Sequence, residues 1–139
     1  MELSTVFAIA LVVSLTGFAI TSMVRAYQKP ILDIPFPDAV IDEPSLPLCQ
    51  FSQTSLISAV STYKAGDYRL AIDHCKTTLK QEPNCAEAFH NMGLAYANIG
   101  DNDKALRSFL KAGDAYDKQE TKAGIERIKQ DLETLKAAG

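Results

Sequence analysis

The chain has 139 residues, room for one small folded domain. Its net charge of −3 excludes a nucleic-acid binder that works through a clustered basic surface. The three cysteines, Cys49, Cys75 and Cys85, are odd in number and widely spaced, with no Cys-x-x-Cys. That excludes a disulfide framework and a zinc site, and reads as reduced thiols in a reducing compartment.

Residues Leu3 to Val24 contain no Asp, Glu, Lys, Arg, His, Asn or Gln. About 20 apolar residues span a ~30 Å hydrocarbon core as helix, so residues 1–25 are expected to be a single transmembrane anchor. A cleaved signal peptide would open with basic residues and carry a shorter apolar core. Here only Glu2 precedes the core, while Arg25 and Lys29 follow it. The positive-inside rule then places the C-terminal domain on the cytoplasmic or stromal side. Ala10, Ser14, Gly17 and Thr21 recur at spacings of four, three and four along one stripe. Small residues there would let a second membrane helix approach closely, making the stripe a candidate helix-packing surface. No side chain in the span ligates a metal or relays protons.

Residues 26–51 form an acidic, apolar linker with five of the six prolines: Pro30, Pro35, Pro37, Pro44 and Pro47. Proline at that density prevents helix and favours extended backbone. Ile34, Phe36, Val40, Ile41 and Leu46 make the segment too apolar for a solvated tether. It is expected to be a strap, packed on its own domain or held in a partner's groove.

The rest of the chain predicts helices near 53–65, 68–80, 85–98, 102–115 and 119–136, after one near 3–25, with no strand. Gly66-Asp67-Tyr68 and Gly100-Asp101-Asn102 lie 34 residues apart. In each, the glycine supplies a left-handed stop and the aspartate caps the next helix. Asn84 with Glu87 reads as a capping box after Pro83. Phe89, Met92-Gly93, Tyr96, Ala105, Phe109 and Ala112 set the apolar faces of one helix pair; Ala59, Ala71, Ile72, Leu79 and Pro83 fall at the same offsets in a fainter one. Ser55, Ser58 and Thr62 occupy larger slots of that first pair. Ile125, Ile128, Leu132 and Leu135 give the last helix an apolar stripe, its alternating charges reading as a solvated face.

These residues and the 34-residue period resemble the tetratricopeptide repeat. The resemblance implies an all-α fold: two repeats over 52–117 (52–83 and 84–117), capped by a helix within 118–139. It further implies a protein-binding adaptor with no catalytic residue, metal or cofactor. In this family partners lie in a groove lined by the first helix of each repeat. The matching positions are Gln53, Leu56, Val60, Tyr63 and Lys64, then Glu87, His90, Leu94, Ala97 and Asn98. One variety grips a C-terminal carboxylate with a Lys and Asn pair. Leu56 and Val60 stand at those positions here, although Asn91 would fit, so an apolar peptide or helix is the expected occupant.

An N-terminal anchor followed by such repeats is similar to the membrane-anchored photosystem I assembly factors of cyanobacteria and plastids. Separately, Met1-Glu2, Thr5-Val6, Thr16-Gly17-Phe18-Ala19 and Pro35-Phe36 with Asp38 look like the small photosystem II protein N. Both resemblances imply a thylakoid protein whose partners are photosystem subunits. A general membrane scaffold or import receptor of a bacterial or mitochondrial membrane, and a structural subunit of another large membrane complex, are the alternatives.

Overall fold

The computed structural model describes residues 34–139. The expected anchor and its stripe of Ala10, Ser14, Gly17 and Thr21 lie outside the described residues. Among the described residues no helix is long and apolar enough to cross a membrane.

Five helices follow the strap: α1 (Gln50–Lys64), α2 (Tyr68–Gln81), α3 (Ala86–Asn98), α4 (Asn102–Lys118) and α5 (Lys122–Ala138). No strand forms among the described residues. Each helix packs on its chain neighbours, and α1 also touches α3. The described residues thus form an all-helical array, consistent with tetratricopeptide-like repeats.

The two glycine turns are near copies. Gly66 and Gly100 have φ of 81° and 82°, a region that costs other residues more. Asp67 N–H donates to Thr62 O and Asp101 N–H to Tyr96 O, both at 2.9 Å. The paired bonds close each helix end. The aspartates then cap: Asp67 Oδ1 accepts from Leu70 N at 3.1 Å and Asp101 Oδ1 from Lys104 N at 3.2 Å. Lys104 beside Asp101 also holds that carboxyl below the usual range. A third turn of the same pattern was not legible. Thr121 N–H donates to Tyr116 O at 2.9 Å, with Glu120 in the left-handed position at φ 55°. Without a glycine to mark it, α4 runs three residues past its expected end.

The expected capping box differs. Cys85, rather than Asn84, is the N-cap of α3, and it makes no side-chain cap bond. Glu87 spends Oε1 on Ser45 while Oε2 lies 3.8 Å from Cys85 Sγ.

Phe109 is fully buried between the helices of its pair. A Cβ on Gly93 would lie 2.6 Å from Phe109 Cδ1, so the small residue sets the α3–α4 approach. At α5 the close approach falls at Gly124, whose Cβ would meet Tyr116 at 2.4 Å. Arg127, which falls one 34-residue period after Gly93, is thereby one turn away from the close approach and reaches elsewhere. Ile128 and Leu135 are buried, with Ile125 and Leu132 packed beside them. Leu56, Ala59, Cys75, Cys85 and Ala88 form a second cluster, with Leu48 against it. Ser52 and Ser55 are buried on α1, whose other side leaves Phe51 and Ile57 exposed.

Candidate peptide-binding groove

The groove runs across α1, α3 and α5, and the chain's own strap occupies it. Pairing Phe36 with Asn98, Ile41 with Asn91 and Ser45 with Glu87 makes the strap antiparallel to α3. Glu87, Asn91 and Asn98 stand four and seven residues apart, which brings them onto one helical face. Seven residues of helix rise about 10.5 Å, less than five extended residues cover at about 3.1 Å each. The turn at Pro37–Asp38 shortens the strap to fit, and bends at Glu43 and at Ser45–Leu46 do the same further on.

Each asparagine reads one residue's main chain twice. Phe36 N donates to Asn98 Oδ1 at 2.9 Å, and Asn98 Nδ2 returns a bond to Phe36 O at 2.8 Å. Ile41 N donates to Asn91 Oδ1 at 2.7 Å, and Asn91 Nδ2 donates to Ile41 O at 2.8 Å. Extended backbone has unpaired N–H and C=O groups, and a side-chain amide supplies one acceptor and two donors. Tyr63 Oη donates a second bond to Phe36 O and accepts from Asn98 Nδ2 at 2.9 Å. Burial pushes the Tyr63 phenol well above its ordinary value, which keeps it a neutral donor.

Side chains add specificity. Phe36 and Val40 are buried in the main core cluster, and the Phe36 ring meets Phe109 edge-on at 5.9 Å. Glu87 Oε1 accepts from Ser45 N at 2.8 Å and from Ser45 Oγ at 2.5 Å. Lys64 Nζ lies 2.7 Å from Asp42 Oδ2, both more than half exposed. Such a surface pair contributes at most about 1 kcal/mol.

From the other edge, Arg127 Nη2 donates to Ala39 O at 3.1 Å. Its Nε lies 3.6 Å from Asp131 Oδ1. Asp131 Oδ2 lies 2.6 Å from His90 Nε2, and His90 Nδ1 lies 3.3 Å from Tyr116 Oη. A carboxylate only accepts, so Nε2 carries the proton in this bond. The network ties strap, α3, α4 and α5 together. It also departs from the solvated-face reading of α5, because Asp131 is 5% exposed. Charge alternation counts signs along a helix and does not register a single buried partner across it.

Of the sequence-derived groove residues, Tyr63, Lys64, Glu87 and Asn98 contact the strap directly. Leu94 is fully buried in the core cluster that Phe36 and Val40 join, with Ala97 buried and Val60 half-buried beside it. Leu56 faces Cys75 and Cys85 in the second cluster instead, and Gln53 is exposed. His90 is wholly buried and spends both ring nitrogens inside the fold. Asn91, named from the sequence only as a fit for the carboxylate-gripping pair, holds the strap's main chain instead, and Arg127 is a groove residue that the repeat offsets do not single out. A second asparagine two turns before Asn98, on the same face as Glu87, was the legible signal for Asn91.

All three thiols are free; Cys75 and Cys85 are buried and Cys49 is exposed. Burial pushes the Cys75 thiol up to about 12 and the Cys85 thiol up to about 11. Both stay protonated and unreactive at neutral pH.

No family model matches this chain. A stretch of 62 residues, 45% of the chain, is 37% identical to Superkiller complex protein 3 of Homo sapiens. The same protein of Mus musculus matches to the same extent. The match spans about 4% of the length of either relative.

Proposed function

We propose that this protein is a membrane-anchored adaptor that binds protein partners and performs no chemistry of its own. One observation carries the reading: the groove holds an extended segment through paired main-chain bonds from Asn91 and Asn98. That is the chemistry of peptide recognition, in which backbone bonds give affinity and side-chain pockets give choice. The likeness to a protein named for a complex supports a role in protein association. The uncharged stretch of residues 3–24 supports the anchor.

The finer reading is an assembly factor or accessory subunit of a photosynthetic membrane complex, with the helical array on the stromal or cytoplasmic side of a thylakoid. Its support is the resemblance of residues 1–38, and of the anchor-plus-repeat order, to photosystem proteins. The test is affinity capture of the full chain from detergent-solubilised membranes of its source, with the captured proteins identified. Subunits of one photosystem are expected. They should be depleted when Asn91→Ala and Lys64→Glu are combined. Capture of unrelated membrane proteins would leave a general scaffold, and capture of none would remove the adaptor reading. Alkaline extraction should leave the full chain in the membrane pellet and release a chain lacking residues 1–25.

A further inference from the structure

We infer that the strap is a resident ligand of the groove, and that a partner engages by displacing it with an extended segment of the same pattern. This rests on the adaptor reading and names the partner's chemistry: an aromatic residue, an aliphatic four positions later and an acidic residue two beyond that. In the strap these are Phe36, Val40 and Asp42.

Three features separate a resident ligand from a permanent part of the core. First, the groove groups that hold the strap are largely polar: Asn91, Asn98, Glu87, Lys64 and Arg127. Water can take the place of the strap at these polar groups once it departs, and the apolar surface then bared is the part of the core that Phe36 and Val40 cover. Second, only Phe36 and Val40 of residues 34–48 are buried. The strap is therefore pinned at two points and open between them. Third, five of the bonds go to the main chain of Phe36 and Ile41, which any non-proline residue can supply. The prolines respect this. Pro35, Pro37 and Pro44 occupy positions adjacent to groove-bonded N–H groups, and none replaces Phe36, Ile41 or Ser45.

Tethering sets the energetics of exchange. A segment joined to its own groove competes at an effective concentration of about millimolar. The apparent affinity for a free segment falls by the fraction of molecules whose groove is open. The full chain should thus bind a strap-like peptide poorly until its own strap is weakened.

The test uses the full chain in detergent micelles and a fluorescein-labelled synthetic peptide of residues 34–45. The double variant Phe36→Ser with Val40→Ser should bind the peptide at least about tenfold more tightly than wild type. Adding Asn91→Ala and Lys64→Glu should abolish that gain. A peptide carrying the same two serines should not bind. A double variant that keeps wild-type helicity by circular dichroism yet binds no peptide would overturn the inference. So would a wild-type dimer, lost in the double variant, which would make a second copy the strap's exchange partner. If the double variant unfolds, amide exchange in the wild type decides. Phe36, Ile41 and Ser45 amides should exchange faster than the core amides of α3, and exchange only at the rate of global unfolding would overturn the proposal. Peptide binding without any captured membrane partner would end the adaptor reading and leave the resident ligand. Partner capture unaffected by the groove variants would do the reverse.

Discussion

Phe109 is the residue on which the second helix pair depends. It is fully buried, and its ring fills the space that Gly93 leaves. Phe109→Ala should destabilise the array by about 3–5 kcal/mol in urea denaturation, the usual cost of deleting a buried Phe. Gly93→Ala works from the opposite side. Its new methyl would sit 2.6 Å from the ring, so a loss of about 1–3 kcal/mol from overpacking is expected. Glu120 predicts the contrary sign. It is exposed and holds φ at 55°. Left-handed backbone costs an ordinary residue about 1–2 kcal/mol, and glycine's extra unfolded-state freedom offsets about 0.5–1 kcal/mol of that. Glu120→Gly should therefore gain roughly 0.5–1 kcal/mol and raise Tm.

The cysteines give a pH prediction. The Cys75 thiol is raised from 9.0 to about 12 in the fold, so the unfolded chain ionises first. Its contribution to stability is complete below pH 9.0 and is lost as pH climbs toward about 12. Tm should fall over that range, and Cys75→Ala should flatten the fall relative to wild type at each pH. At pH 8, a thiol reagent should label Cys49 alone until the protein is unfolded.

The strap and α5 behave as elements that exist through their partners. Neither has a repeat to follow, and each is held by groups on other helices. Asp131 shows this for α5. Asp131→Ala would leave the buried His90 Nε2–H without an acceptor, a loss of about 1–3 kcal/mol. It would also free Arg127, which bonds the strap at Ala39. The strap amides should then exchange faster in hydrogen-exchange measurements, even though Asp131 touches no strap atom by hydrogen bond. Unchanged exchange at Phe36 and Ile41 would show that α5 does not brace the strap. For the strap itself, Phe36→Ala should cost roughly 2 kcal/mol, within the range for a buried apolar side chain. Helicity should stay as in wild type, because Phe36 lies outside every helix and its backbone bonds go to the Asn98 and Tyr63 side chains.

Across the whole molecule, two kinds of information meet. Helix order, both glycine turns, both aspartate caps and the aromatic-in-glycine slot of the second pair were legible, because each depends on residues within one turn or one period of each other. Gly66 and Gly100 announce a left-handed backbone wherever they fall, and Phe109 needs only a small residue in its own repeat. The groove positions come from the resemblance to the repeat family rather than from spacing alone, and of them Tyr63, Lys64, Glu87 and Asn98 bond the strap. The occupant was not legible. Whether Phe36 and Val40 pack on their own domain or on another depends on contacts between residues 50 to 62 positions apart, such as Ile41 with Asn91 and Phe36 with Asn98. A pattern along the chain carries no record of such closure. Asp131 escaped for an allied reason: its sign fits a surface helix, and only the packing of α5 on α4 brings it to His90 of α3. Glu120 escaped because its backbone is imposed by the flanking helices rather than chosen by its side chain. Local spacing thus determined the helices and, with the repeat resemblance, the surface they present, while tertiary packing decided what fills that surface, because burial and hydrogen bonding reward any segment that reaches it, near or far in sequence.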